Sequence, residues 1–382
     1  MKFRAKDRGG SGSAGATSQG STMAEGREQR TYTVLVLLPV LVMAVVAGVD
    51  MLAGPEVGFL PLVSLGPAFA GLVGTWRRTL VVGALAMLLC VGLGVYDDLL
   101  LTRRGYTALA SVVGVTVAGV VAAIMRGRRE QELASVRSIA EVAQRVLLRP
   151  VPRSAGPLRV AVSYTSAVAE ARIGGDLYEV AASADRIRLI VGDVQGKGLA
   201  AVETASVVLG TFREAAYEEP DLTQLGARLE RSVGRELEDE KFVTAIIAEV
   251  RPKERTVVFL NHGHPPPMLV RRGGTVDFPR PASYALPLGL AAHGGEPPAA
   301  FSAEFAPGDQ LLLYTDGVTE ARNGEGDFYP LKDKGGLLRT GDAQAALDTL
   351  REDVESYTGG VQDDDAAMLL VRYRPGRGPG RD

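Results

Sequence analysis

Residues 174–198 read Gly-Gly-Asp-Leu-Tyr-Glu-Val-Ala-Ala-Ser-Ala-Asp-Arg-Ile-Arg-Leu-Ile-Val-Gly-Asp-Val-Gln-Gly-Lys-Gly. Two apolar runs, Leu177–Ala182 and Ile187–Val191, flank a short Ser183 to Arg186 turn, the pattern of a β-hairpin. Asp176 begins the first run and Asp193 closes the second, so antiparallel pairing sets the two carboxylates side by side. Gly192 to Gly198 resembles a phosphate-cradling loop only superficially. Three residues separate Gly192 from Gly196, and Gly198 stands where that loop needs a Ser or Thr.

Working outward, further strands are predicted at Leu158–Tyr164, Phe242–Val250, Thr256–Leu260, Gln310–Thr315 and Ala366–Tyr373. Helical patterns cover about Leu199–Tyr217, Leu222–Leu237 and Ala343–Tyr357, and Gly289 to Pro298 reads as loop. Strands with few intervening helices predict an α+β layered domain, not a parallel βαβ sheet. Asp316, in Tyr314-Thr315-Asp316-Gly317, ends one strand and Asp364, in an Asp363-Asp364-Asp365 run, precedes another. Antiparallel pairing of those two strands brings their carboxylates to a common end. Asp beside Gly is also an ordinary turn signal, so no one of these positions defines a site. Four converging carboxylates, however, repel unless cations neutralise them. An oxygen-only donor set suits Mg²⁺ or Mn²⁺, and a two-metal site is a usual device for phosphoryl hydrolysis. His262 and His264 are read as packing in a Pro-rich loop, since the chain has three His and one Cys from which to build a zinc site.

At these residues the sequence resembles the metal-dependent, protein phosphatase 2C-like (PPM) serine/threonine phosphatases, in the branch named after the stage II sporulation E phosphatase. The landmarks are Gly174-Gly175-Asp176-Leu177-Tyr178, Gly192-Asp193-Val194-Gln195-Gly196-Lys197-Gly198, Phe242-Val243-Thr244-Ala245, Asn261-His262-Gly263-His264-Pro265-Pro266, Leu313 to Ala321, and Asp364-Asp365, in family order over roughly Arg159 to Tyr373. The resemblance implies a helix-flanked antiparallel β-sandwich (α-β-β-α) with two Mn²⁺ or Mg²⁺ ions at one end of the sheets. It implies that Asp193 bridges both ions, that the Val194 carbonyl completes the shell, and that Asp176, Asp316 and Asp364 supply the other carboxylates. The triple Asp leaves the last assignment ambiguous between Asp364 and Asp365; Asp364 fits the family's final strand. A metal-bridging hydroxide would attack phosphorus in line. Two residues after Asp193 this chain has Gln195 where eukaryotic members carry a His that protonates the leaving group. Arg172 and Lys197 are the cations nearest these motifs and are candidates for holding substrate phosphate, although solvated surface charge is the default for both types.

The first third has a different composition. The 382 residues carry a net charge of -3 and a mean hydropathy of +0.09, high for a soluble enzyme and without the basic footprint of a nucleic-acid binder. A single Cys excludes a disulfide framework. Four stretches lack Asp, Glu, Lys and Arg: Thr31 to Val49, Val57 to Trp76, Thr79 to Tyr96 and Gly105 to Met125. At 18 to 21 residues, each reaches roughly 27–31 Å as a helix, enough to cross a bilayer core. Arg27 and Arg30, then Arg77 and Arg78, then Arg126, Arg128 and Arg129 fall on one side, which predicts a multi-pass protein of the cell membrane with both termini cytoplasmic. The spans contain no ionisable residue of those types to mark a transport path.

The expected organisation is a disordered tail (1–30), an all-α membrane region of four helices (31–125), a helical linker (126–157), a phosphatase domain (158–374) and a disordered tail (375–382). Leu133, Val136, Ala140, Ala143 and Leu147 lie on one face of the linker helix. That seam suits either a parallel two-helix homodimer or a single helix packed on its own domain. The resulting expectation is a membrane-anchored serine/threonine phosphatase acting on a phosphorylated cytoplasmic regulatory protein. The branch implies an anti-sigma-factor antagonist. The competing expectation is a catalytically weak scaffold that binds a partner without turnover.

Overall fold

A computed structural model describes residues 37–52, 59–165, 174–183, 186–236, 241–340, 342–360 and 364–374. The chain divides into two compact units, Met1–Leu133 and Ala134–Asp382. The two expected tails and Arg172 lie outside the described residues.

In the first unit, α1 (Leu37–Leu52), a 3-10 turn (Leu60–Ser64) running into α2 (Leu65–Val73), α3 (Trp76–Tyr96) and the start of α4 (Arg103–Leu147) occupy the four apolar stretches. Among the described residues two helices, α3 and α4, are long and apolar enough to cross a membrane; the described lengths Leu37–Leu52 and Leu60–Val73 are apolar but shorter. Only Gly74 and Thr75 separate α2 from α3, so Arg77 and Arg78 fall in the first turn of α3 and not in a loop. Arg126 of α4 donates to the carbonyls of Gly71, Leu72 and Gly74 and so satisfies the C-terminus of α2. Met43, Val63, Ala86, Cys90 and Val112 pack together inside this unit, whereas Leu41, Val81 and Leu88 are exposed.

The second unit is a sandwich of two antiparallel sheets. One has the order β1 (Ser154–Ala155), β2 (Leu158–Thr165), β11 (Ala366–Tyr373), β10 (Gln310–Tyr314), β7 (Met268–Val270) and β8 (Val276–Asp277). The other has the order β3 (Leu177–Ala182), β4 (Ile187–Val194), β5 (Val243–Arg251), β6 (Thr256–His262) and β9 (Phe301–Glu304). Strand periodicity explains the packing. Val180, Leu189, Val191, Ile246, Leu313 and Leu369 fill the space between the sheets. Their neighbours Ala181, Ile190, Ala245 and Ile247 face α5 (Leu199–Glu218) and α6 (Leu222–Glu236). On the other side Leu312, Tyr314, Met368 and Leu370 face α8 (Ala343–Tyr357). Central strands buried on both faces therefore read as continuous apolar runs. The α-β-β-α arrangement follows.

One charged pair lies inside this apolar framework. Arg188 on β4 and Glu249 on β5 are paired across the strands at 2.7 Å, with both side chains 1% exposed. Arg188 also donates to the carbonyls of Ala216 and Glu219, so it terminates α5 from the sheet below.

Candidate metal centre

The β3–β4 register pairs Leu177 with Gly192, which places Asp176 and Asp193 at the same end of the hairpin. Val194 N–H donates to the Gly175 carbonyl at 3.2 Å and holds the two strand ends together. In the other sheet Tyr314 pairs with Met368. The chain then turns, so that Asp316 opens the short helix α7 (Asp316–Thr319) while Asp364 and Asp365 lead into β11. Thr315 joins the sheets: its hydroxyl donates to Asp176 Oδ2 at 2.9 Å and accepts from Ala367 N–H at 2.9 Å. Asp176, Asp193, Val194, Asp316, Asp364 and Asp365 thereby line one cavity of about 300 Å³, together with Gln195 and Lys197.

Electrostatics within this cavity are unfavourable for a bare carboxylate cluster. Burial pushes Asp193 up to about 7, with Asp316, Asp364 and Asp365 adding repulsion and Lys197 opposing it. Burial also holds Asp176 well above the usual carboxylate range, Asp193 adds to the rise, and the Thr315 hydrogen bond offsets part of it. Asp316 is raised by burial and by Glu320 and Asp364. Lys197 Nζ lies 2.6 Å from Asp364 Oδ1, so one candidate phosphate-holding cation is engaged with a candidate metal ligand.

The donor set fits hard divalent cations. All its groups are oxygens, their mutual repulsion is what a cation relieves, and the approach to them is kept open at Gly175. A Cβ on Gly175 would stand 2.3 Å from the Val194 carbonyl oxygen and 2.8 Å from Asp193 Oδ1. Among the described residues no three carboxylate, imidazole or thiolate side chains close into a single coordination shell. The carboxylates share a cavity but remain spread along its wall, with Asp364 more than half exposed beside Lys197. Between Asp364 and Asp365 the burial is opposite: Asp365 is buried, and it faces Asp176 and Asp193 electrostatically.

Three supporting groups were not singled out from sequence. Gln144, near the end of α4, donates to the Tyr164 hydroxyl at 2.8 Å and to the Gly174 carbonyl at 3.2 Å. Tyr164 is in turn raised by burial and by Asp365 and Asp176. Thr315 is fully buried and could have been noticed only as a hydroxyl inside an otherwise apolar strand end. His264, by contrast, packs as expected. Its Nε2 donates to the Tyr314 carbonyl at 3.0 Å and its Nδ1 accepts from Thr244 at 2.9 Å, while Asn261 clasps its backbone. Burial depresses it to about 3, so it is a neutral strut between the sheets.

The family model for stage II sporulation protein E matches residues 183–374, about half of the chain. The phosphoserine phosphatase RsbU of Bacillus subtilis (strain 168) is 23% identical over 254 residues, covering 65% of this chain and 73% of RsbU. Among solved structures, the SiaA-PP2C domain of Pseudomonas aeruginosa superposes with a TM-score of 0.53 at 18% identity, over 64% of this chain and 98% of that domain, a likeness of fold. The RsbU and RsbW domains of a Mycobacterium tuberculosis protein match at 25% identity with a TM-score of 0.49, over 58% of this chain and 62%, less than two thirds, of that one.

Proposed function

The chain belongs to the stage II sporulation protein E family, and from that premise we propose that it is a membrane-anchored, metal-dependent protein phosphatase. Its substrate in this reading is phosphoserine or phosphothreonine on a cytoplasmic regulatory protein, of the anti-sigma-factor-antagonist kind. The observation that carries the reading is the convergence of Asp176 and Asp193 from one sheet with Asp316 and Asp364 from the other in a single cavity. Similarity to a phosphoserine phosphatase supports the same substrate chemistry.

Asp176, Asp193, Asp316, Asp364 and the Val194 carbonyl would hold two Mn²⁺ or Mg²⁺ ions, with Asp365 close behind. Such ions supply a lowered water pKa and charge neutralisation at the phosphoryl oxygens. Thr315 keeps the Asp176 carboxylate oriented through its hydroxyl. Lys197, which pairs with Asp364 at the cavity, would pair with the substrate phosphate where a cation occupies Asp364. Gln195 is exposed at the cavity and can donate a hydrogen bond to a leaving oxygen, but it cannot supply a proton. Anchoring is supported by the apolar α3 and α4, by the exposed Leu41, Val81 and Leu88, and by the Arg bias toward one side.

Hydrolysis of para-nitrophenyl phosphate by the full chain in lipid nanodiscs tests the proposal. Turnover should require Mn²⁺ or Mg²⁺, stop with EDTA and be absent from Asp193→Asn. Metal-independent turnover, or equal turnover by the variant, overturns the metal assignment. A folded, metal-loaded protein that binds a phosphoprotein without hydrolysing it would instead be the scaffold.

A further inference from the structure

A cavity of about 700 Å³ lies between the first turn of α8 and the end of the β2–β11 sheet remote from the metal centre. β11 leaves the metal centre at Ala366 and reaches Arg372 six residues on, roughly 20 Å along the strand. Leu158, Val160, Val371 and Tyr373 point between the two sheets, so alternation sends Arg159 and Arg372 to the other face, toward α8. The β2–β11 register sets these two arginines directly opposite each other. Like charges so placed repel. Arg153, whose carbonyl accepts the Val160 N–H, and Arg374 bring two more guanidinium groups to the same cavity.

The four arginines are not equally committed. Arg372 donates to Gln310 and to the carbonyls of Leu338 and Thr340, and Arg374 donates to the Gly156 carbonyl. Arg153 and Arg159 are exposed, and among the described residues their side chains make no hydrogen bond or ion pair. Two carboxylates share the lining, and both are engaged: Asp342 caps α8 by accepting the Ala345 N–H at 2.9 Å, and Asp348 accepts from Gln344 Nε2 at 3.0 Å. The cap bond holds Asp342 below the usual carboxylate range, and Arg372 and Arg153 add to the effect. Four positive groups against two negative ones leave an excess of two positive charges in one recess.

We propose that this cavity is a binding site for the phosphate group of a small molecule, gripped by Arg153 and Arg159 against the anchored Arg372 and Arg374. Guanidinium forks match phosphate oxygens two at a time, and a dianion relieves the repulsion between Arg159 and Arg372. The α8 N-terminus is not part of the grip, because Asp342 already caps it. The site is separate from the metal centre and does not rest on phosphatase chemistry.

Pyrophosphate is the probe, titrated calorimetrically into the full chain in phosphatidylcholine nanodiscs with EDTA at low salt. One saturable site is expected. Arg153→Gln and Arg159→Gln should each weaken it about tenfold, the scale of a charge-assisted hydrogen bond, whereas Lys197→Met, at the metal centre, should leave it unchanged. Asp342→Asn keeps a capping side chain and removes one negative charge, so it should tighten binding about three- to fivefold, a gain that a damaged fold does not produce. No binding by the parent protein overturns the proposal. So does an affinity unmoved by both arginine variants, a loss confined to Lys197→Met, or an affinity that fails to rise in Asp342→Asn. Phosphatidic acid in the disc identifies the source of the phosphate: an unchanged pyrophosphate affinity assigns the site to soluble phosphates, and a reduced one to a lipid headgroup.

Discussion

The Lys197 ammonium lies 2.6 Å from Asp364 Oδ1, and both side chains are substantially exposed. A pair in that setting is worth at most about 1 kcal/mol, a small barrier to a divalent cation that would compete for Asp364. If Asp364 then ligates the cation and Lys197 turns to phosphate, Lys197→Met has two separable effects. The Mn²⁺ concentration for half-activation should fall, since the competing cation is gone, and KM for para-nitrophenyl phosphate should rise by about tenfold, the scale of a charge-assisted hydrogen bond. An unchanged KM denies Lys197 its phosphate role.

Without metal, the raised carboxyl groups at Asp193 and Asp176 make stability depend on pH in a defined direction. A carboxyl whose folded pKa lies above its unfolded value stabilises the fold while protonated. That contribution is fully present below about pH 4 and is lost as pH rises through about 7 for Asp193. In EDTA the unfolding temperature should therefore fall between about pH 4 and 8, and Mn²⁺ should reverse the fall at the upper end. Asp193→Asn should flatten the profile. A flat profile in the parent protein, or an equally steep one in the variant, counts against the carboxylate cluster as described.

Arg188 and Glu249 test the fold independently of the metal centre. Arg188→Met leaves Glu249 buried with only Arg251 as partner, at 2.6 Å, and leaves the carbonyls of Ala216 in α5 and Glu219 just after it without their donor. A cost of about 3 kcal/mol is expected, at the low end for breaking a buried pair because Arg251 remains. Adding Glu249→Leu should recover much of it. Urea unfolding reads both, and an unshifted midpoint in Arg188→Met means the pair contributes nothing measurable.

Gln144 holds α4 against the catalytic end through the Gly174 carbonyl and Tyr164. Gln144→Leu leaves that carbonyl buried without its donor, a penalty of about 1–3 kcal/mol borne next to Asp176. The expected result is a kcat about tenfold lower with KM for para-nitrophenyl phosphate unchanged. Tyr164→Phe, which removes one of Gln144's two acceptors, should cost less. A normal kcat in Gln144→Leu would show that the contact does not position the site.

Why some of this was readable in advance and some was not has a physical basis. Leu177–Ala182 and Ala366–Tyr373 match β3 and β11 to the residue, because both strands are buried along nearly their whole length and so are mostly apolar, β3 at the edge of its sheet included. β7 and β9 are short and follow Pro-rich segments, so Met268–Val270 and Phe301–Glu304 carried too little pattern to separate from loop. The carboxylates were visible because Asp beside Gly at a strand end is distinctive when it recurs. Arg188 was not, since its partner lies 61 positions away and its charge reads as surface. Gln144 was hidden for the same reason: an amide in a helix is unremarkable until the fold brings Tyr164 and Gly174 beside it.

The linker seam divides in the structure, and that division sharpens its test. Ala143 and Leu147 pack on Val202 of α5, so the end of the seam is used within its own domain. Leu133 and Val136 remain 57% and 52% exposed on the same continuous helix. A two-helix dimer, if it forms, must therefore meet over the upper part of the seam and release before Ala143. Cys90 is the only cysteine, so a Cys90→Ala background isolates introduced thiols. In membranes, Val136→Cys should cross-link efficiently, Ala143→Cys should not, and Gln131→Cys, on the opposite face of α4, should serve as the collision control. Cross-linking at Val136 no greater than at Gln131 leaves α4 a single strut, with Gln144 and Val202 its attachment to the catalytic domain. Efficient cross-linking at Ala143 would mean that the Val202 contact opens in the membrane-bound protein.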